Sequence, residues 1–221
     1  PTEAVFRRQS GNHLLIVGQR EESARGMLAV ALISLAAQHP KNSARFLIFD
    51  SSPPDSIEAR SLERVARALP QDTTLVQSGD VTQAMISLGA ELERRNDALV
   101  AASAPVTYLF IHGLQNNKKL RYDEELSFSV DAAASAENPG LLLNKLILEG
   151  ANMGFHVIVT CDTYNNVMRS LSRKALSEFE MRIVFQMSAN DSASLIETPA
   201  ANNLGLYRAL LFNAQQGWLE T

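Results

Sequence analysis

The sequence predicts an α/β domain with a mostly parallel central sheet that is flanked by helices. Short apolar runs bounded by Gly, Asn or Pro alternate with longer segments of helical periodicity, and this alternation is typical of a parallel sheet. The last two apolar runs are separated only by a short polar turn, which predicts a C-terminal antiparallel hairpin at one sheet edge.

The strands are predicted from apolar runs that stop at turn-forming residues. The first run lies between Asn12 and Gly18, and the second ends before Ser-Ser-Pro-Pro. The run Val-Thr-Tyr-Leu-Phe-Ile forms the predicted central strand. The predicted strands are residues 13–17, 44–50, 73–77, 106–111, 155–160 and 181–186, and those of the hairpin are 208–212 and 217–219.

The helices are predicted between these strands. In residues 22–38, Leu28, Leu32 and Leu35 recur at a spacing that places them on one face. The inner face predicted for the helix 57–69 consists of Ile57, Leu62, Val65 and Leu69. The other predicted helices are residues 81–101, 141–153 and 189–197, with a further short helix after the polar connection 162–173.

The chain is predicted to form one domain over residues 1–221, because it contains no repeat and no interdomain linker. Residues 115–139 are polar, charged and without sustained periodicity, so we expect a long, mobile surface excursion there. The chain begins at Pro1 without an initiator methionine, and we interpret it as a fragment of a longer multi-domain polypeptide.

Composition narrows the class of protein. With 46% hydrophobic and 20% charged residues and no apolar run of about 20 residues, we expect a cytoplasmic globular domain that makes no membrane contact. A single cysteine, Cys161, excludes an internal disulfide and a metal site with several thiolate ligands, and its apolar surroundings predict burial. The net charge of -4 argues against a domain that coats nucleic acid by bulk charge.

The first strand-to-helix connection has the place of a phosphate-binding loop but lacks its chemistry. In a G-x-x-x-x-G-K-[ST] loop, the lysine reaches the phosphates and the hydroxyl holds Mg²⁺. Counted from Gly18 through Gln19 and Arg20, the second glycine, the lysine and the hydroxyl are replaced by Ser23, Ala24 and Arg25. Glu21 and Glu22 add negative charge where a triphosphate would lie.

A second element of such ATPases is a hydrophobic strand that ends in carboxylates, which organise Mg²⁺ and polarise the attacking water. Here the central strand ends in His112 and Gly113. Imidazole is a poor ligand for hard Mg²⁺, and glycine has no side chain. Both catalytic elements are therefore degenerate, and we predict no catalytic residue and no metal site.

The chain resembles the motor domain of the FtsK/SpoIIIE and HerA group of DNA pumps, which includes the ATPase subunits of type VII secretion. Residues 13–18 are similar to that family's first strand and glycine, and 108–111 to its acidic-motif strand. Residues 154–160 and 182–188, the latter followed by Asp191-Ser192, match the family pattern more closely. The resemblance runs from about residue 13 to 220 and implies a RecA-like P-loop NTPase fold.

The resemblance also implies roles for individual residues. Asp162 stands at the position of a sensor glutamine, although it could equally cap the following turn. Arg182 is a candidate for an arginine that acts in trans on a neighbour's nucleotide, and the simpler interpretation is pairing with Glu178 or Glu180. Arg20 and Arg25 could substitute for the missing lysine, but a solvated first turn is favoured.

Three functions remain open from the sequence. The favoured hypothesis is a degenerate, non-hydrolysing ATPase-like domain that serves as a structural or regulatory ring element beside active ATPase domains of the same chain or ring. That hypothesis implies homo-oligomerisation in the full-length context, with double-stranded DNA or a protein as further partner. The alternatives are a nucleotide-binding or active DNA-translocating ATPase with an unorthodox loop, and a protein-interaction module. ATP and Mg²⁺ are cofactors only if the degenerate loop still binds them.

Overall fold

The computed structural model describes residues 3–53, 55–123 and 137–220. Its centre is an eight-stranded sheet. The strands are β1 (Leu14–Val17), β2 (Ala44–Asp50), β3 (Asp72–Val76), β4 (Val106–His112), β5 (Phe155–Cys161), β6 (Met181–Phe185), β7 (Ala209–Asn213) and β8 (Trp218–Glu220). The spatial order is β3-β2-β4-β5-β1-β6-β7-β8.

The first six strands pair in parallel, and β6, β7 and β8 pair antiparallel. The apolar runs of β1, β4 and β5 are almost entirely buried because helices cover both faces of the sheet. The predicted α/β class, the mostly parallel sheet and the C-terminal hairpin are confirmed.

Eight α-helices connect the strands in the described part of the chain, together with short 3₁₀ turns. They are α1 (Glu21–Gln38), α2 (Ile57–Ala68), α3 (Val81–Arg94), α4 (Ala98–Ser103), α5 (Pro139–Glu149), α6 (Tyr164–Ser170), α7 (Arg173–Ser177) and α8 (Ala189–Ile196). Helices α1 and α2 pack on one face of the sheet, and α3, α5, α6, α7 and α8 contribute to the core on the other. Leu28, Leu32 and Leu35 of α1 are buried, as predicted.

Two helix predictions are corrected. The single helix expected over residues 81–101 is two helices, because Arg95 turns inward onto Glu91 and Thr107 and Asp97 caps the next helix. Ile57 was expected on the inner face of α2 but is 82% exposed, because it is the first residue of the helix and precedes its buried stripe.

The expected excursion over residues 115–139 is described only at residues 115–123 and 137–139. Residues Leu114–Asn116 and Lys118–Leu120 form 3₁₀ turns, and Leu120 is fully buried. The ammonium of Lys119 donates to the carbonyls of Ser78 and Gly79. Pro139 already begins α5, and the remaining part of the excursion lies outside the described residues.

Parallel pairing places the carboxyl ends of β1, β2, β4, β5 and β6 at one edge of the sheet. In open α/β sheets, ligands bind at this edge. None of the described helices is both long and apolar enough to cross a membrane.

Candidate functional site at the carboxyl edge of the sheet

The connection between β1 and α1 is a turn of three residues, Gly18, Gln19 and Arg20. The buried Gly18 N–H donates to the Cys161 carbonyl, and α1 begins immediately at Glu21. A Cβ atom on Gly18 would lie 2.7 Å from the Phe185 ring, so this glycine is required by packing against β6. The turn is too short for the six-residue loop that wraps a phosphate in a G-x-x-x-x-G-K-[ST] motif.

The residues that replace the second glycine, the lysine and the hydroxyl residue of the motif are Ser23, Ala24 and Arg25. All three lie within the first turns of α1. Ala24 is buried at 4% exposure in the core beneath the helix, so its side chain points away from any ligand at the edge. Arg25 lies 4.0 Å from Glu58 of α2, and its buried Nη1 atom makes no hydrogen bond. Ser23 is partly exposed. In a full-length phosphate loop these residues would lie at the loop's end, but α1 begins at Glu21 and includes all three of them.

Arg20 and Gln19 are both exposed and border a cleft of about 400 Å³ beyond the turn. The Arg20 guanidinium stacks over the Tyr207 ring at 5.1 Å. The other side of this cleft is formed by the residues that follow β6 and by the segment 205–208. Arg20 is therefore engaged with an aromatic ring at the cleft rim.

His112 and Asp50 form a buried pair at the ends of β4 and β2. Nδ1 of His112 lies 3.1 Å from Oδ1 of Asp50, and the two side chains are 1% and 14% exposed. Asp50 also accepts hydrogen bonds from the Ser52 N–H and hydroxyl. Burial acts to raise the pKa of Asp50, but the hydrogen bonds from His112 and Ser52 outweigh it, and the net pKa is lowered.

Gly113 completes a tight turn beyond β4. Its φ of 69° is in the left-handed region, and an added Cβ would lie 2.2 Å from the Ser51 hydroxyl oxygen. The Gly113 N–H donates to the Thr160 hydroxyl, and the Ser51 hydroxyl donates to the Gly113 carbonyl. A glutamate at this position would therefore require both backbone strain and displacement of Ser51.

Asp162 follows β5 and is held locally. Its Oδ1 atom accepts from Asn166 Nδ2 at 2.8 Å and from the Thr163 hydroxyl at 3.2 Å. The residue that caps α6 is Thr163, whose hydroxyl accepts from the Asn166 N–H. Asp162 thus holds the first turn of α6 through side-chain hydrogen bonds. The capping position, for which Asp162 was a candidate, is the next residue, Thr163.

Arg182 is turned into its own domain. Its Nε, Nη1 and Nη2 atoms donate to the carbonyls of Phe179, Leu195 and Leu176 at 2.7, 2.6 and 3.3 Å. The carboxylates of Glu178 and Glu180, expected as its partners, are replaced by these carbonyls. Burial lowers the pKa of Arg182. Its donors are committed to tying β6 to α7 and α8, which leaves the proposed action in trans without support from its contacts.

Cys161 is buried at 2% exposure, as predicted, and burial raises the pKa of its thiol to about 12. Asp50, a carboxylate that does lie at this edge, was not predicted as a site residue. The expected acidic motif belongs at the end of the central strand β4, whereas Asp50 ends the neighbouring strand β2. The available signal was Asp50 itself, which ends the apolar run of the neighbouring strand. Nothing in the sequence indicated that Thr160, within β5, accepts a hydrogen bond from Gly113.

The residues at this edge do not fit a magnesium–triphosphate group. The turn contains no lysine, and the carboxylate of Asp50 is occupied by His112 and Ser52. Among the residues that the structure describes, no group of three or more His, Cys, Asp or Glu side chains could hold a metal ion. What the edge does provide is a set of buried hydrogen bonds that join β2, β4 and β5.

No protein-family model matches the sequence, and no curated protein matches it either. Solved structures do match. The cytoplasmic domain of the type VII secretion ATPase EccC from Thermomonospora curvata superposes with a TM-score of 0.65 at 14% identity, over 95% of this chain and 25% of that chain. EssC (ATPases 2 and 3) from Geobacillus thermodenitrificans gives 0.64 at 14% identity, over 96% and 44%.

A third match is the genome packaging NTPase B204 from Sulfolobus turreted icosahedral virus 2, solved with ATP-γ-S, with a TM-score of 0.55 at 11% identity over 97% of both chains. This chain spans a quarter of the EccC structure and less than half of the EssC structure. The matches define the fold class: this is a P-loop ATPase fold. More particularly, the chain has the fold of an FtsK/SpoIIIE-type ATPase domain, as the sequence resemblance implied.

Proposed function

We propose that this chain is a degenerate, non-hydrolysing ATPase-like domain of a longer FtsK/SpoIIIE-type motor protein. It acts there as a structural or regulatory element beside ATPase domains that retain their catalytic residues. The observation that carries the proposal is the three-residue turn Gly18–Arg20, which leads directly into a helix and leaves no loop to surround a phosphate.

The second element supports the same conclusion independently. At the end of β4, His112 is bonded to Asp50, and Gly113 occupies a backbone conformation and a space that exclude a glutamate. Rate enhancement in phosphoryl transfer depends on electrostatic stabilisation by Lys, Mg²⁺ and a positioned carboxylate. A domain without the lysine and the positioned carboxylate contacts its neighbours in this proposal rather than hydrolysing nucleotide.

The EccC and EssC structures that this chain resembles are much longer than the chain, and the EssC structure contains two ATPase domains by its own description. Their length supports the proposal that the partners here are further ATPase domains of the same chain or ring. Double-stranded DNA and an additional protein are the secondary partners of this proposal.

The test is calorimetric titration of the 221-residue chain with ATP and ADP in the presence of Mg²⁺, with an intact FtsK-type ATPase domain as positive control. We expect no saturable binding and no Mg²⁺-dependent turnover. Saturable binding at micromolar concentrations would instead favour the rival function, a nucleotide-binding domain with an unorthodox loop, to which the match with the ATP-γ-S-bound B204 structure gives some support.

DNA contact is tested separately by titrating duplex DNA at low and then moderate salt, because phosphate contacts weaken steeply as salt rises. A ring element that tracks DNA binds at low salt. Absence of binding at low salt in every oligomeric state would favour the third function, a protein-interaction module.

A further inference from the structure

The cleft of about 400 Å³ between the β1–α1 turn, the residues that follow β6 and the segment 205–208 is named here the arginine cleft. Arg20 and Arg208 both border it and are exposed, and none of the described residues that line it is Asp or Glu. Within residues 3–53, 55–123 and 137–220, neither guanidinium forms an ion pair or a hydrogen bond. Two cationic groups are therefore available to a ligand, on a chain whose net charge is -4.

Arg20 is held in position by Tyr207. Its guanidinium lies over the Tyr207 ring, 5.1 Å from the ring centroid. This contact uses the flat face of the guanidinium, whereas its N–H donors point outward in the guanidinium plane and stay free. A ligand that accepts hydrogen bonds from Arg20 therefore meets a side chain that is already ordered, which lowers the entropic cost of binding.

Tyr207 has an unfavourable backbone conformation that burial does not explain. Its φ of 61° lies in the left-handed region, which is uncommon for a bulky residue. Tyr207 is nevertheless 66% exposed, so packing in the core does not offset this strain. Strained residues of this kind cluster at ligand-binding positions. Here the strained residue is the one that supports Arg20 at the rim of the arginine cleft.

The charges around the arginine cleft favour a ligand with one or two carboxylates over a polyphosphate or a nucleic-acid strand. Glu21 and Glu22 follow Arg20 directly and are exposed. Asp191 lies in the first turn of α8, which begins just after the cleft residue Ser188. An extended polyanion that enters the cleft meets these like charges, and the repulsion opposes its binding. A short acidic ligand avoids most of this repulsion.

Backbone donors that could hold a phosphate are already engaged. At the amino end of α8, the Asp191 N–H donates to the Ser188 hydroxyl. In the β1–α1 turn, the Gly18 N–H donates to the Cys161 carbonyl. The described lining of the cleft contains no lysine. The remaining strong donors are the two guanidinium groups, whose planar N–H pairs bind carboxylates in bidentate geometry.

The rest of the arginine cleft suits a peptide. Phe185, Met187 and Leu206 contribute apolar surface, and Leu206 is 63% exposed. Gln186 and Asn202 are exposed and supply amide donors and acceptors of the kind that bond to a peptide backbone. Ligand sites combine apolar lining with a few polar groups in this way. A peptide with a carboxylate beside an apolar side chain contacts all of these surfaces.

We propose that the arginine cleft binds an acidic peptide segment of a partner protein. Its carboxylate accepts hydrogen bonds from Arg20 and Arg208, and an adjacent apolar side chain packs on Met187 and Leu206. The identification of this partner as a neighbouring ATPase domain rests on the proposed function. Binding of the peptide itself requires neither nucleotide nor a ring.

The first test titrates the 221-residue chain with the peptide acetyl-Gly-Leu-Asp-Glu-Leu-Gly-amide and follows the arginine Nε–H resonances by NMR. We expect saturable shifts at Arg20 and Arg208. A control peptide with Asn-Gln in place of Asp-Glu should bind about tenfold more weakly, because hydrogen bonds between charged groups are stronger than those to a neutral amide. Equal affinity for the two peptides, or no shift with the acidic peptide, overturns the proposal.

The second test removes each guanidinium in turn. Arg20→Gln and Arg208→Gln should each weaken binding of the acidic peptide by about tenfold. The matched control is Arg64→Gln, which removes an exposed arginine of α2 outside the cleft lining and should bind the peptide like the parent chain. A loss of affinity as large in Arg64→Gln as in the cleft variants would show attraction to overall charge and would overturn the assigned site.

The third test concerns the strained tyrosine. Tyr207→Gly should weaken peptide binding without lowering the melting temperature, because glycine removes the strain together with the ring. Tyr207→Phe keeps the ring under Arg20 and should bind the peptide like the parent chain. A Tyr207→Gly chain that binds the peptide normally but melts at a lower temperature would show that the ring serves folding alone.

Competing ligands are tested with inorganic pyrophosphate and a thymidine oligonucleotide at low salt, where phosphate contacts are strongest. We expect both to shift the Arg20 and Arg208 resonances only at higher concentrations than the acidic peptide. Tighter binding of either one overturns the choice of a carboxylate ligand. ATP with Mg²⁺ separates this inference from the proposed function: saturable ATP binding contradicts the proposed function, whereas absence of both ATP and peptide binding contradicts this inference alone.

Discussion

The imidazole of His112 and the carboxylate of Asp50 are 62 residues apart in sequence and 3.1 Å apart in space. The strand register sets them directly opposite each other, at the ends of β4 and β2. A histidine at the end of the central strand thus has a definite structural partner. An aspartate in its place would lie beside a second carboxylate.

We predict that His112→Asp destabilises the domain by about 2 kcal/mol or more at pH 7, because it exchanges a hydrogen bond for repulsion between two buried carboxylates. The loss should be smaller in acid, for instance at pH 4, because repulsion between the two carboxylates favours protonation of one of them. Urea unfolding of both proteins at the two pH values measures this difference. His112→Asn, which keeps an N–H donor for Asp50, is the matched control and should cost less at pH 7. Equal loss at both pH values would contradict the electrostatic cause.

Ala24→Lys places a lysine at the lysine position of the G-x-x-x-x-G-K-[ST] motif, but it should not create an ATPase. Ala24 is 4% exposed within the core beneath α1, so the ammonium would be buried there without a partner. We expect a loss of about 2 kcal/mol or more in the free energy of unfolding and no Mg²⁺-dependent turnover. Ser34→Lys, at an exposed position of the same helix, should change stability by no more than about 0.5 kcal/mol. Turnover gained by Ala24→Lys would show that the loop opens to a phosphate-binding form.

The sheet could be predicted because its strands are continuous apolar runs that are bounded by turn-forming residues. Strand β2 was predicted with its observed bounds, since the run ends before Ser51 and Ser52. The break between α3 and α4 could not be predicted, because its cause is the inward turn of Arg95 onto Thr107 and its stacking over Phe155. Local periodicity contains no information on such a contact.

The first strand-to-helix connection was predicted at its observed place in the chain, but its geometry was not. The motif identifies the residue type at each position but presupposes a loop of six residues. In the structure α1 begins at Glu21, so the connection has only three residues. The pairing of Asp50 with His112 depends on the register between β2 and β4, which a single sequence does not determine. Arg182 was expected to pair with a carboxylate. Its guanidinium instead donates to three backbone carbonyls, two from helices α7 and α8 and one from the residues after α7.

Arg182→Lys should therefore destabilise the folded domain. A lysine cannot serve three carbonyls spread around a planar guanidinium, so at least one buried acceptor loses its donor. We expect a loss of about 1–3 kcal/mol in unfolding free energy, independent of protein concentration. Arg208→Lys, at an exposed position beside the cleft that Arg20 borders, should be neutral. If Arg182→Lys unfolded normally but altered the turnover of an adjoining ATPase domain, the trans role would regain support.

The stability of the domain should fall as the solution is acidified below about pH 6.5, because two histidines are buried in neutral form. His13 accepts from the Val157 N–H, and its other ring nitrogen lies 2.9 Å from the Ile147 carbonyl. Burial, with repulsion from His156, lowers the pKa of His13 from 6.5 to about 3, although the Ile147 carbonyl acts to raise it. Burial likewise lowers the pKa of His156 to about 4, against the opposing hydrogen bond to the Asn12 carbonyl.

The direction of this effect follows from proton linkage. Both pKa values are lower in the folded state, so the unfolded chain binds more protons between pH 6.5 and 4. The stabilisation is complete above the unfolded pKa and is lost as pH falls through this window. Two such histidines cost about 2 kcal/mol together between pH 6.5 and 5.5. Chemical unfolding at half-unit pH steps measures the slope, and His156→Gln should reduce it by one proton while keeping an N–H for the Asn12 carbonyl. A variant slope equal to that of the parent chain would mean that His156 is already protonated in the fold.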